Sequence, residues 1–471
     1  MQYQSTRGQV SEVGFIDAFL MGLATDGGLL VPSTIPVISS DKLEEWRTLS
    51  FQDLMLEIFS YYLNEEIPSD ELKKMVYASY STFRHEDVTP VHQLTDDIYL
   101  LELFHGPTFA FKDIALQLMG QLYSYVAKQY KRPINILGAT SGDTGASAIQ
   151  GVRGKEGINI CILHPNGKVS KVQELQMTTV QDENVLNLSV EGNFDDCQRM
   201  IKELFADVNF KNEHHLCAIN SINIVRILAQ TVYYFYSYFR VTDQRPELVG
   251  APLHFSVPTG NFGDIFAGYL ASRMGLPVGK LVLATNENNI LERFVKEGVY
   301  KPDGFHTTYS PSMDIQVASN FERYLYYVLD ENAEQTERYM KSFQESGEIR
   351  IPQELLSKIQ SEFAAYGVIG AECLATIQKY NDTKAYLLDP HSACGVAAAE
   401  RTLPAGEVVI SLATAHPAKF NESIELCEIK QDFPPQISAL YDMPVRKTEV
   451  EGTMDQVVAE LLPFYHRHQV K

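Results

Sequence analysis

Four times along the chain, a short apolar run ends in a loop of small or polar residues and passes into a helical segment. INILGAT (134–140) runs into SGDTG, and LHFSVPT (253–259) into GNFGD. AYLLD (385–389) runs into PHSACG and AAAER, and EVVISLAT (407–414) into AHPAKF. Parallel strands need a crossover long enough to be a helix, so this repeated unit specifies an α/β protein with largely parallel sheets. Ligands of such sheets bind outside the carboxyl ends of the strands. Chemistry is therefore expected in these four loops. Residues 1 to about 97 read differently, as a mixed segment with short helical patterns such as FQDLMLEIFSYYL (51–63). The last forty or so residues read as an appended mixed segment. A chain of 471 residues exceeds one simple core and is expected to form two or three lobes.

Composition narrows the function. A net charge of -21 argues against non-specific nucleic-acid binding, and an anionic small substrate would need a local cluster of cations or backbone N–H groups. The six cysteines are scattered with no CxxC spacing, so neither a zinc site nor a disulfide framework is implied and no metal is expected. The apolar stretch FIDAFLMGLA is broken by Asp17 and is not a signal peptide, and no run is long enough for a membrane span. The expectation is a cytoplasmic protein with no membrane partner.

The loops have chemical content. In PTGNFGD (258–264), Gly260 and Gly263 flank Asn261 and Phe262 between a strand and a helix. Such a loop turns N–H groups inward beside the positive end of a helix and suits a phosphate, or it is simply a tight turn that needs glycine. EGNFDD (191–196) shares GNF, but its three carboxylates would repel a phosphate. GATSGDTGAS (138–147) offers the hydroxyls of Thr140, Ser141 and Thr144 at another helix start. It fits a carboxylate or phosphate, or Ser141 or Asp143 acts as an N-cap. Its glycine spacing is neither the dinucleotide fingerprint nor the nucleotide P-loop. NSINIVRILAQTVYYFYSYF (220–239) reads as a helix capped by Asn220 or Ser221, with Arg226 on an otherwise apolar surface. That arginine makes a buried ion pair or meets an anionic ligand. In HGPTFAFKD (105–113), Lys112 follows aromatic and small residues. Burial lowers a lysine's pKa, and a free amine condenses with aldehydes. The alternatives are a stem laid on Phe109 or Phe111 with the ammonium in water, or a pair with Asp113.

A lysine of this kind, a phosphate loop and a hydroxyl-rich anion loop are together what a pyridoxal phosphate enzyme needs. HGPTFAFKD, ATSGDTGAS, NSINIVRILAQ, PTGNFGD and TAHPAKF, in that order, resemble the threonine synthase family. So do STRG (5–8), GLATDGGLLVP (22–32), and SPSMDI with SNFER (310–323). The resemblance implies the fold type II architecture of pyridoxal phosphate enzymes, with two parallel-sheet α/β domains and an N-terminal segment. The implied boundaries are an N-terminal segment 1–97, a large cofactor domain 98–132 and 236–430, a smaller inserted domain 133–235, and a C-terminal extension 431–471. It implies that Lys112 condenses with the cofactor aldehyde. Gly260, Asn261, Phe262, Gly263 and Asp264 would cradle the cofactor phosphate, with Asn261 also within reach of a substrate phosphate. Thr414 would face the pyridine nitrogen, and a hydroxyl there makes the ring a milder electron sink than a carboxylate would. Asp143, where related enzymes often have asparagine, would stand near the cofactor ring oxygen and the substrate carboxylate. Thr140, Ser141 and Thr144 would hold the substrate carboxylate and part of its phosphate, and Asn220, Ser221 and Arg226 the substrate phosphate.

The implied reaction converts O-phospho-L-homoserine and water to L-threonine and phosphate, with the Lys112 amine moving protons at Cα and Cβ. Two alternatives stand beside it. One is a lyase that stops after elimination and releases 2-oxobutyrate; the other is a non-catalytic relative serving as a binding module. Oligomeric state and the roles of His105, His416 and Lys419 are not legible in the sequence.

Overall fold

The computed structural model describes residues 1–63 and 65–467. The chain forms two compact units. The first comprises Met1–Lys73, Arg84–His105 and Ser221–Gln431; the second comprises Lys74–Phe83, Gly106–Asn220 and Asp432–Lys471.

The first unit is built on a six-stranded sheet. Its order is Phe363–Gly367, Val278–Thr285, Leu253–Pro258, Val409–Ala413, Ile98–Glu102 and Val91–Gln93. All neighbours are parallel except the last pair. Helices Gly370–Lys384 and Pro390–Thr402 cover one face through Ile377 and Val396, against Leu100, Val282 and Ala284. On the other face Tyr234, from helix Ile224–Gln244, packs on Phe255 with ring centroids 5.1 Å apart. Burial on both faces is why these strands read as continuous apolar runs rather than alternating ones. The N-terminal motifs end in this unit. Arg7 makes a two-pronged pair with Glu322 at 2.9 Å, to which the Thr6 hydroxyl also donates at 2.7 Å. The next residue, Arg323, donates from Nε to the Leu30 carbonyl at 3.0 Å. STRG, GLATDGGLLVP and SNFER are thus parts of one junction.

The second unit carries a five-stranded, wholly parallel sheet in the order Thr448–Val450, Val185–Val190, Ile158–Pro165, Ile134–Ala139 and Leu216–Ala218. Helix Lys112–Tyr130 crosses helix Asp143–Val152 at paired glycines, where a Cβ on Gly120 would stand 1.9 Å from the Gly151 carbonyl oxygen. The small residues of the second helix permit that approach.

Several expectations are corrected. AYLLD is not a strand. Ala385 closes helix Gly370–Lys384 in a left-handed conformation (φ 52°), and Asp389 already caps the next helix. Those five residues are used up in ending one helix and starting another. The edge strand is instead Phe363–Gly367, whose FAAYG sequence carries little strand signal. The helix expected over 220–239 runs from Ile224 to Gln244 and is capped by Asn223, whose side chain accepts from the Val225 N–H at 3.1 Å. The units also divide elsewhere than the resemblance implied. Helix Lys112–Tyr130 lies in the second unit, and the first unit resumes at Ser221. The C-terminal residues are no mere appendage, since Val450, Val457, Leu461 and Phe464 share a core with Leu137, Cys161 and Leu188.

Candidate functional site

In the second unit, Lys112 opens its helix behind Phe109, which sits at φ 61°. The amine is half-buried, 6.0 Å from the Phe111 ring centroid. Its neighbour Asp113 is fully buried and anchors the turn. It accepts from the Thr108 N–H at 2.7 Å, the Thr108 hydroxyl at 2.7 Å and the Ser147 hydroxyl at 2.6 Å. A side chain on Gly106 would run into that carboxylate. The lysine is therefore carried on a turn pinned from within and from helix Asp143–Val152.

In the neighbouring loop the cap is neither Ser141 nor Asp143. The Thr140 oxygen accepts from the N–H groups of Gly142 at 3.0 Å and Gly145 at 2.9 Å. Its acceptor capacity is spent on the loop, and its hydroxyl proton is left as a donor. Ser141 is exposed and Thr144 half-buried. Asp143, buried at the first position of the helix, accepts from Gln173 Nε2 at 2.9 Å. Asn220 lies in this unit, with its buried side-chain oxygen lacking a partner among the described residues.

In the first unit, the loop after strand Leu253–Pro258 enters helix Gly263–Arg273 through Phe262 at φ 66°. The Phe262 ring packs between Tyr324, 5.6 Å away, and Phe363, 6.0 Å away, so its main chain is what faces the loop. The Asn261 side chain accepts from the Gly263 N–H at 2.9 Å. Gly260 is closely approached, since a Cβ there would stand 2.9 Å from Ile315 Cδ1 and 3.1 Å from Met313 Cα. The SPSMDI segment thus lies against the glycine loop. It is held by Asp314, which accepts from the Thr308 hydroxyl at 2.6 Å and Asn286 at 2.8 Å, and by the Ser312 N–H donating to His391 Nε2 at 3.1 Å. Asp264 turns its carboxylate away from the loop. Tyr233 and Tyr234 donate to it at 2.5 Å and 2.9 Å, its Oδ2 has no partner among the described residues, and burial pushes the acid up to about 6.

Arg226 is completely buried on the first turn of its helix, its Nη1 meets no acceptor among the described residues, and burial pushes the guanidinium down to about 10. No ion pair among the described residues accounts for it. Ser221 bonds the Ser319 hydroxyl at 2.9 Å. Thr414 is buried just past strand Val409–Ala413. Two residues on, His416 accepts at Nδ1 from the Ala418 N–H at 3.1 Å. Burial, with Arg84 nearby, pushes that imidazole down to about 4 and keeps it neutral. His105 is paired with Glu102 at 2.8 Å.

Family comparison places this geometry. A family model described as "Threonine synthase N terminus" matches residues 2–80, "Pyridoxal-phosphate dependent enzyme" matches 82–414, and "Threonine synthase, C-terminal" matches 392–460. A threonine synthase of Schizosaccharomyces pombe is 45% identical over 460 residues, covering 90% of this chain and 89% of that protein. The chain belongs to the threonine synthase family. The solved structure of pyridoxal phosphate-bound threonine synthase from Brucella melitensis superposes with a TM-score of 0.95 at 41% identity, covering 100% of both chains. The yeast threonine synthase structure gives 0.94 at 41% identity and 99% coverage of each. The fold is therefore fold type II, and the chain is a pyridoxal phosphate-dependent lyase of this family.

The residues fit that cofactor. The first unit has a glycine loop at a helix start from which the nearby carboxylate is turned away, and a buried arginine with no ion pair among the described residues. Both features favour phosphate. The second has a lysine on a rigid turn. Sequence reasoning missed Asp113, Gln173, Tyr233 and Asn223. The only trace of the first was its place beside Lys112; Asn223 and Tyr233 lie in the 220–239 segment, where the sequence singles out only Asn220, Ser221 and Arg226, and Gln173 stands in a helical segment with no chemical motif.

Proposed function

We propose that this chain converts O-phospho-L-homoserine and water to L-threonine and inorganic phosphate, in the cytoplasm. The observation that carries the substrate is Arg226, a buried cation whose Nη1 has no hydrogen-bond partner among the described residues. Burying a guanidinium unpaired is costly, and an anionic ligand offsets that cost. A phosphate monoester supplies the charge and the two oxygens that the planar fork takes.

Pyridoxal phosphate, when bound, supplies the aldehyde for Lys112 and the electron sink for loss of a proton at Cα. The chain's residues do the rest. The N–H groups of Gly260 to Asp264 hold the cofactor phosphate, and Thr414 hydrogen-bonds the pyridine nitrogen. Thr140, Ser141 and Thr144 hold the substrate carboxylate, Thr140 by its remaining proton. Asn220, Ser221 and Arg226 hold the substrate phosphate and steer its departure from Cγ. The Lys112 amine takes the proton from Cα and then one from Cβ. Once phosphate has left, Cγ gains a proton and becomes the methyl group, water adds its hydroxyl at Cβ, Lys112 returns a proton to Cα, and the remaining proton leaves with the phosphate. Asp113 cannot substitute, because its carboxylate is taken up by Thr108 and Ser147.

Product assay decides the outcome. Purified protein with pyridoxal phosphate and O-phospho-L-homoserine should release threonine and phosphate in equal amounts; 2-oxobutyrate as the main product would establish the lyase instead. Lys112→Ala should lose the near-visible band of the covalently held cofactor, and a retained band would remove Lys112 from this role.

A further inference from the structure

Helix Lys171–Thr178 carries two glutamines one turn apart, 4% and 5% exposed, and each reaches a loop of the second unit that holds proposed site residues. Gln176 Nε2 donates to the Thr108 carbonyl at 3.0 Å, four residues before Lys112. Gln173 Nε2 donates to Asp143 Oδ1 at 2.9 Å. Gly142 makes the second contact possible. It sits at φ 147°, and a Cβ there would stand 2.3 Å from Gln173 Cδ. The carboxamide therefore lies against the bare main chain of the SGDTG loop to reach its carboxylate. The helix is itself fixed. Ser170 caps it, and Glu174 on its surface is paired with Lys447 at 2.9 Å.

An ionised aspartate only accepts hydrogen bonds, so a buried one needs donors to hold it in one orientation. At the first position of a helix the free N–H groups of the same turn compete for the carboxylate. A donor from a second helix fixes which oxygen points where. We propose that Gln173 is the positioning residue of Asp143, holding its carboxylate in the orientation in which it meets the cofactor ring oxygen and the substrate. The proposal rests on the reading above, in which Asp143 stands beside that ring.

The test uses the holoenzyme with Gln173→Met, which keeps the volume and removes the donor, and Gln173→Glu, which is nearly isosteric. Gln173→Met should weaken pyridoxal phosphate binding and lower kcat, each by about 10- to 100-fold, the loss expected for one hydrogen bond to a charged group. It should also shift the cofactor's near-visible band while the melting temperature stays close to wild type. Gln173→Glu sets two carboxyl groups face to face. At pH 8 it should be as impaired as Gln173→Met. As the pH falls to 6 its activity relative to wild type should recover, because one of the pair takes up a proton and donates as the amide did. A pH-independent defect in Gln173→Glu, or an unchanged affinity and band in Gln173→Met, overturns the proposal. Cofactor affinity and band are read without turnover. If wild type gives 2-oxobutyrate, the function proposed above falls while Gln173 is still judged.

Discussion

Arg226 and Arg323 are both buried arginines of the first unit, and they differ in what surrounds them. Arg323 donates to the Leu30 carbonyl at 3.0 Å, and to Asn320 Oδ1 and the Ile222 carbonyl at 2.6 Å each. Arg226 has no such set. Arg226→Ala should therefore spare folding and raise KM for the phosphorylated substrate about 10- to 100-fold, with a smaller change in kcat. Arg323→Ala should instead destabilise the protein by about 3 kcal/mol or more, since three acceptors lose their donor. Denaturation and steady-state kinetics on both variants separate the roles, and an unchanged KM would remove Arg226 from the phosphate site. Asp264 makes a prediction about pH. Burial raises its carboxyl from 3.8 to about 6, so the folded state favours the protonated form. The associated stability is full below about pH 4 and is lost as the pH rises through about 6. Asp264→Asn should gain on wild type by roughly 2–3 kcal/mol between pH 4 and pH 8 in denaturant titrations. A pH-independent difference would show that Asp264 is not titrating as its burial requires.

At the scale of elements, the approach of two helices sets where Lys112 stands. Helices Lys112–Tyr130 and Asp143–Val152 touch main chain to main chain, since a Cβ on Gly120 would lie 1.9 Å from the Gly151 oxygen and one on Gly151 would lie 2.5 Å from the Leu116 oxygen. Neither obstacle is a side chain that can swing aside. Gly120→Ala should therefore push the helices apart, costing about 3 kcal/mol. It should also weaken cofactor binding, because Ser147 on one helix bonds Asp113 on the other. Thermal melting with and without pyridoxal phosphate measures both effects; a melting temperature within about 1 °C of wild type would contradict the crossing.

Across the whole molecule, the chain returns at its end to a unit begun much earlier. Strand Thr448–Val450 pairs with Val185–Val190, and Val457, Leu461 and Phe464 lie in the core of that unit. A protein ending at residue 431 would leave the Leu188 and Val190 side of the sheet uncovered. Such a truncation should be insoluble or lose the cooperative melting of the second unit, as read by circular dichroism and expression yield. A soluble, fully folded truncation would show that the last residues are dispensable.

The sequence by itself determined the parallel α/β class, and it singled out the loops and the lysine proposed to carry the chemistry. Strand, loop and helix each leave a local signature, and a glycine loop or a lysine beside aromatic residues is visible in a few consecutive letters. It left the alternatives for each loop open, because a lone arginine or threonine reads the same whether it meets a ligand or the protein. Tertiary structure decided those cases by placing partners far apart in the chain: Tyr233 against Asp264, Gln173 against Asp143, Glu322 against Arg7. It showed that AYLLD is spent on helix ends and that the C-terminal segment completes a sheet. Only the fold assigns donors to acceptors, and that assignment leaves Arg226 Nη1 buried without a partner among the described residues while Arg323 donates to three acceptors.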